Sequence, residues 1–314
     1  MKPSKPPVIF LLGPTASGKT DWAIAWQKLF KRIEIISVDS VMVYQGCDIG
    51  SAKPTKAILA KHPHYLVDET ELDQIFSVAD FCRSAHQLIK DIHSRNNIPL
   101  LVGGSMMYFN VLKKGMSVLP SADSNFRAEL EIRIQDEGIT SLHNELCALD
   151  QEIASSIKPQ DTQRIIRALE IIHLSSAATQ SNKNELTSAP LADKYTLHQY
   201  GIFPMERAHL HNRIENRQHE LIAGGLLEEV QELTKKYDLS SDHPAMKAVN
   251  YRQALMVING ELSEDDLFEK SLYATRQLAK RQCTWIRGWE NLQTYDVDEF
   301  DQATKQLKKQ LNFA

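Results

Sequence analysis

The apolar run Val8-Ile9-Phe10-Leu11-Leu12 passes directly into Gly13-Pro14-Thr15-Ala16-Ser17-Gly18-Lys19-Thr20. No other stretch narrows the possible folds as much. The segment fits G-x-x-x-x-G-K-[ST], the P-loop pattern, in the setting that pattern requires: a buried strand before it and a helix-like segment, Lys19 to about Lys31, after it. Glycines let the backbone turn back on itself, so that its N–H groups and the helix N-terminus converge on an anion. Lys19 adds a positive charge within reach of an outer phosphate, and the Thr20 hydroxyl is placed to meet a phosphate-bound Mg²⁺. The expectation is a nucleotide- or diphosphate-binding loop of the ATP-binding type. Which phosphate compound it holds is not specified by the loop.

The following segments extend the pattern. Glu34 to Asp39 reads as a second buried strand ending in an acid, His64 to Asp68 as a short one, and Ile98 to Gly104 as another. Between them Ser77-Val78-Ala79-Asp80 has the form of a capping box opening a helix to about Arg95, and Ser105 to Lys114 is helix-like. Continuous apolar strands alternating with helices indicate a parallel sheet covered on both faces. Ligands of such sheets sit at the C-terminal ends of the strands, which puts Gly13–Thr20, Asp39-Ser40 and Gly103-Gly104-Ser105 on one rim. From Phe126 to about Ser176 the periodicity is only helical, with Ile165, Leu169 and Ile172 at helical spacing. Ser175 to Asp193 is polar and reads as a mobile connection, Tyr195 to Phe203 as a returning strand, and the remainder as mostly helix. The fold expected is therefore α/β: a P-loop NTPase-like parallel sheet flanked by helices (1–122 and 195–314, with a helical C-terminal part), interrupted by an all-helical insertion domain at 123–194.

The 314 residues carry a formal net charge of −4, which argues against a protein coated in positive charge for nucleic acid but permits a local basic track. One exists: Lys270, Arg276, Lys280, Arg281 and Arg287 have no acid among them, and Trp285 and Trp289 lie beside them, a mixture suited to bases and phosphates. Arg164 and Arg167 with Gln163 form a second basic cluster, and Arg127 stands at the start of the insertion; a solvated face or a structural ion pair is the competing reading of each. Cys47, Cys82, Cys147 and Cys283 form no C-x-x-C pair, so buried reduced thiols are expected rather than zinc. His62 and His64 lack a third ligand at useful spacing and read as packing or hydrogen-bonding residues. No signal-peptide core and no run of membrane-spanning length occurs, and a cytoplasmic protein is expected.

Five ordered blocks together resemble the tRNA dimethylallyltransferase (bacterial tRNA isopentenyltransferase) family over essentially the full chain. They are Gly13 to Thr20; Ser37-Val38-Asp39-Ser40 through Tyr44, with Asp48-Ile49-Gly50-Ser51-Ala52-Lys53-Pro54; Leu101-Val102-Gly103-Gly104-Ser105-Met106-Met107-Tyr108; Gln163-Arg164-Ile165-Ile166-Arg167-Ala168-Leu169-Glu170; and Ala274-Thr275-Arg276-Gln277-Leu278-Ala279-Lys280-Arg281-Gln282 with Thr284-Trp285 and Arg287. The chain departs from the family's pattern at Met42, often Gln; at Ser105, usually Thr; at Lys158-Pro159-Gln160-Asp161, a His-Pro-Asn-Asp pattern; and at Asn250, commonly Gly. The absence of paired C-terminal cysteines favours the bacterial type over the zinc-finger-bearing eukaryotic one.

The resemblance implies transfer of a dimethylallyl group from its diphosphate to N6 of adenosine 37 in the anticodon loop of tRNAs reading codons that begin with U, with Mg²⁺ as cofactor. It implies Lys19, Asp39 and Ser105 as catalytic residues and Gly13, Pro14, Thr15, Ala16, Ser17, Gly18, Lys19 and Thr20 as the diphosphate grip, Thr20 also meeting Mg²⁺. It implies tRNA contacts from Asp39, Ser40, Val41, Met42, Ser105 and Arg127; from Gln163, Arg164, Ile165, Ile166 and Arg167; from Lys247, Ala248, Val249, Asn250, Tyr251 and Arg252; and from Lys280, Arg281, Gln282, Cys283, Thr284, Trp285, Ile286 and Arg287. The partners expected are the tRNA anticodon stem-loop and dimethylallyl diphosphate, with no membrane and a monomeric chain. The alternatives are a P-loop small-molecule kinase, an adenylate isopentenyltransferase acting on free nucleotide, and a non-catalytic RNA-binding module. The kinase leaves the basic Trp-containing helix and the insertion unexplained, and the free-nucleotide enzyme has little use for the basic segments.

Overall fold

The structure is a computed structural model that describes residues 5–117, 123–177, 186–204 and 206–311. In chain order its elements are β1 (Pro7–Leu12), α1 (Lys19–Leu29), β2 (Ile33–Val38), α2 (Lys56–Lys61), β3 (His64–Tyr65), α3 (Val78–Ser94), β4 (Ile98–Gly103), α4 (Met106–Lys114) and β5 (Met116–Ser117). These are followed by α5 (Ser124–Glu137), α6 (Ile139–Leu149), α7 (Gln151–Ser155), α8 (Thr162–Ala177), β6 (Leu186–Ser188) and α9 (Leu191–Lys194). The chain ends with β7 (Thr196–Ile202), α10 (Arg207–Ala223), α11 (Leu226–Lys236), α12 (Tyr251–Ile258), α13 (Glu264–Arg287), β8 (Gln293–Tyr295) and α14 (Phe300–Leu311). It divides into two compact units, 1–114 with 190–314, and 115–189.

The first unit is built on a six-stranded sheet in the order β3-β2-β4-β1-β7-β8, every pairing parallel. Side chains alternate across a strand, and β1 shows why both sheet faces need cover. Val8, Phe10 and Leu12 pack with Phe81, Ala85 and Ile89 of α3 and Phe109 of α4. Ile9 and Leu11 pack on the opposite face with Trp22 and Trp26 of α1 and Ala303 and Leu307 of α14. A strand buried on both faces must be apolar at every position, and that is the run visible in the sequence. Helix α3 starts where the capping box places it: the Asp80 N–H donates to Ser77 Oγ at 3.2 Å and the Ser77 N–H to Asp80 Oδ2 at 2.9 Å. The register sets Leu12 beside Gly103, and Gly103 beside Val38, so the loops after β1, β2 and β4 leave the sheet side by side.

The 115–189 unit contains α5 to α8 and the antiparallel pair β5–β6, so the insertion is mainly helical rather than all-helical as expected; a three-residue strand carries too short a pattern to be read. Leu130, Leu142, Leu146, Ala154, Ile165 and Leu169 form its core, and Asp123 caps α5 by accepting from the Asn125 and Phe126 N–H groups.

Several expectations are corrected. The connection read over Ser175 to Asp193 is structured where it is described, by the end of α8, by β6 and by α9; its residues 178–185 lie outside the described residues. The edge strand β8 went unread because three residues with two polar side chains carry no strand signature. Cys47, Cys82 and Cys283 are buried, but Cys147 is exposed; all four are free thiols. Among the described residues no helix is long and apolar enough to cross a membrane.

Candidate active site

The loop after β1 is held by its own backbone and by its neighbours. The Gly13 N–H donates to the Gly103 carbonyl at 3.3 Å, and the Ser17 N–H to the Pro14 carbonyl at 3.2 Å. Gly18 has φ 89°, the left-handed region that glycine enters without a Cβ penalty, and it launches α1. Arg213 Nε of α10 donates to the Ala16 carbonyl at 2.7 Å. Among the described residues the hydroxyl of buried Ser17 has no partner. Buried polar atoms are nearly always bonded, so this orphan oxygen is what a loop shaped around a ligand leaves behind.

Positive charge concentrates at this loop. The Lys19 ammonium donates to the Pro14 carbonyl at 3.1 Å. Burial first and then Arg217 push its pKa down to about 8, with Asp39 pulling the other way. Arg217 is itself lowered, first by burial and then by Arg213, against Glu220 and Asp21. Among the described residues neither Arg213 nor Arg217 forms an ion pair with a carboxylate. Arg213 is exposed and Lys19 and Arg217 are half-buried, and cations held this close repel one another until an anion joins them. Sequence reading missed both arginines. Their only signal was the i,i+4 spacing in Arg213-Ile214-Glu215-Asn216-Arg217, far along the chain from the loop they serve.

Asp39 follows β2 directly. Its Oδ1 accepts from the Val41 N–H at 2.9 Å and the Met42 N–H at 3.2 Å, which fixes the carboxylate and leaves Oδ2 uncommitted among the described residues. Ser105 is tied to the same strand end, its N–H donating to the Val38 carbonyl at 3.3 Å. Gly103 is required there, since a Cβ would run into the Val38 carbonyl. The structure thus gathers Gly13–Thr20, Asp39 and Ser105 on one rim. Thr20 and Ser17 supply hydroxyl oxygens and Asp39 a carboxylate, a donor set suited to Mg²⁺ shared with phosphate oxygens. Among the described residues no three His, Cys, Asp or Glu side chains converge to cage a metal unaided.

The segments read as RNA-facing divide. On α13, Lys280, Arg281, Thr284, Trp285 and Arg287 are exposed, with Arg287 also over the Phe203 ring. Cys283 and Ile286 are buried there, and Gln282 is turned inward; a helix that packs one face cannot offer consecutive residues to a partner. Ser40 is exposed, and Val41 and Met42 are half-buried. Lys247 is exposed and pairs with Asp242 at 2.8 Å, Arg252 is exposed, and Ala248 and Val249 are half-buried. Asn250 and Tyr251 are buried, tying their turn to the segment after Asp39: Asn250 Nδ2 donates to the Gly50 carbonyl at 2.9 Å, and Tyr251 Oη to Glu229 Oε1 at 2.7 Å. Glu229 in turn accepts from the N–H groups of Asp48, Ile49 and Gly50. At φ 76°, Asn250 occupies a backbone conformation open to glycine, in keeping with the glycine common in the resembling family.

In the helical unit Gln163 and Arg164 are exposed, Ile166 is half-buried, and Ile165 belongs to the core. Arg127 and Arg167 both bond Glu170, whose side chain is fully buried. The Arg127 bonds are 2.7 and 2.8 Å long. Burial alone would raise the Glu170 carboxyl, but the two guanidiniums and the Asp123 N–H hold it down to about 2. Both arginines are thereby committed to the unit's own fold.

Residues 42–289 match the model of the IPP transferase family. Among solved structures, the full-length tRNA isopentenylpyrophosphate transferase of Bacillus halodurans is similar, with 32% identity, 98% of this chain and 96% of that one covered, and a TM-score of 0.69. The tRNA delta(2)-isopentenylpyrophosphate transferase of Staphylococcus epidermidis is 31% identical over 98% of this chain and 100% of that one, with a TM-score of 0.67. A eukaryotic dimethylallyltransferase acting on tRNA shares the fold at a TM-score of 0.71, with 22% identity over 96% of this chain and 78% of that one.

Proposed function

The chain belongs to the IPP transferase family, and from that premise we infer that it transfers a dimethylallyl group from dimethylallyl diphosphate to N6 of adenosine 37 in the anticodon loop of tRNAs reading codons that begin with U. The observation that carries the reading is the pairing, on one rim, of the fixed acid Asp39 with a cation-rich loop whose Arg213 and Arg217 have no ion-paired carboxylate among the described residues. We read Gly13–Thr20 as a P-loop of the NTPase type put to a different task. Its amides, Lys19, Arg213 and Arg217 hold the diphosphate and stabilise the charge that grows on its oxygen as the allylic C–O bond breaks. The Thr20 hydroxyl would help hold Mg²⁺, which when bound would add charge neutralisation.

Adenine N6 forms the new C–N bond. Its lone pair is delocalised into the ring, so loss of its proton needs help, and Asp39 accepts it. The Ser105 hydroxyl positions the amine or the diphosphate. The products are N6-(dimethylallyl)adenosine and diphosphate. A stacked base cannot enter such a rim, so the adenosine is flipped out of the loop. The exposed face of α13 with Lys280, Arg281 and Trp285, together with Arg252, forms the core's basic surface for the RNA. The helical unit serves as a tRNA-contacting insertion, and the protein works in the cytoplasm as a monomer.

The test is incubation with dimethylallyl diphosphate, Mg²⁺ and an unmodified tRNA reading UNN codons, followed by digestion and mass analysis. One dimethylallyl mass gain on adenosine 37 is expected; tRNA that is bound yet chemically unchanged would refute the reading.

A further inference from the structure

Gln282 lies within the basic stretch of α13, between exposed Arg281 and exposed Thr284, yet its side chain is only 8% exposed. Its Oε1 accepts from the Thr15 N–H at 2.9 Å, and its Nε2 donates to the Gly104 carbonyl at 3.0 Å. The two bonds fix the amide's orientation, since the N–H needs the oxygen and the carbonyl needs the NH₂. One residue thus bonds the loop after β1 and the loop after β4, and among the described residues no other side chain hydrogen-bonds to both. The fit is close: a Cβ on Gly104 would collide with Gln282 Nε2. The Thr15 amide is also committed to α13 rather than to a ligand.

We propose that Gln282 is a positioning residue for alkyl transfer, setting the spacing between the loop that grips the leaving diphosphate and the loop that carries Ser105, and tying both to the helix whose outer face meets RNA. The inference rests on the function proposed above. Its physical basis is the sensitivity of a displacement to alignment: a misplacement of about 1 Å costs on the order of 10²-fold in rate. Gln282 touches neither substrate in this role; it acts through Thr15 and Gly104.

The test is Gln282→Met, which keeps the length of the side chain and removes both bonds, examined alone and with Ser105→Ala. Expected is a fall in kcat of about tenfold or more, with tRNA Kd within about twofold and the melting temperature retained. The double variant should lose less than the product of the two single losses, because both act through one loop. Wild-type kcat in Gln282→Met, a loss confined to tRNA affinity, or losses that simply multiply would each overturn the proposal. Should Gln282→Met fail to fold, Gln282→Asn, which keeps the amide but shortens its reach, is read in the same cycle with the same outcomes. Hydrogen exchange separates this inference from the functional reading on which it rests. The Thr15 amide should exchange at least about tenfold faster in the variant whether or not the wild type prenylates tRNA, and unchanged exchange would overturn the latch itself.

Discussion

In the α/β core, Arg213 and Arg217 stand at the Gly13–Thr20 loop with no carboxylate ion-paired to either among the described residues. In the helical unit, Arg127 and Arg167 close on the single buried carboxylate of Glu170. The residue type is the same and the use is opposite. In the helical unit positive charge is neutralised internally and joins the N-terminal turn of α5 to α8. In the core no carboxylate among the described residues ion-pairs with Arg213 or Arg217, and on the proposed reading the mutual repulsion of Lys19, Arg213 and Arg217 is relieved when the diphosphate binds. An arginine in a basic motif is therefore no evidence of a binding surface until its carboxylate partners are counted.

Three substitutions can break or sharpen this contrast. The largest effect is expected at the rim: Asp39→Asn should preserve donor and tRNA affinity while lowering turnover by about 10²-fold or more, the scale of general-base loss. Unchanged turnover in a steady-state assay would move Asp39 to a structural role. Next, Glu170→Gln should destabilise the helical unit by about 2 kcal/mol in a denaturant titration, less than for a wholly buried pair because both guanidiniums reach solvent. If stability holds and tRNA binding falls instead, the helical arginines are contact residues and the contrast fails.

The smallest effect concerns the core cations. As pH rises through about 8, Lys19 loses its proton, so kcat/KM for the donor should fall on that side. Arg217→Gln should raise the donor KM about tenfold and shift this falling limb to higher pH, because Arg217 disfavours the Lys19 ammonium. A limb that stays in place in a pH–rate profile would show that Arg217 does not act on Lys19.

What could be read in the sequence follows from the range over which each signal acts. The parallel sheet was legible because a strand buried on both faces must be apolar at every position, as Val8 to Leu12 is. The helical insertion was legible from its period. The common rim of the loops after β1, β2 and β4 followed from the parallel arrangement itself. Arg213 and Arg217 were missed because α10 reaches the loop only through tertiary packing, which no local pattern encodes. Gln282 was placed among the tRNA contacts by the family resemblance, although Thr275, Ala279, Gln282 and Ile286 mark the buried face of α13 at helical spacing.

On the proposed reading the loop after β1 holds a diphosphate that leaves carbon, not a triphosphate that loses a phosphoryl group. The most direct measurement is the diphosphate released per prenylated adenosine, taken with and without ATP. Alkyl transfer requires one diphosphate per dimethylallyl group transferred, at a rate that needs no ATP and consumes none. Modification that depends on ATP hydrolysis, or phosphate released from ATP in step with product, would contradict it.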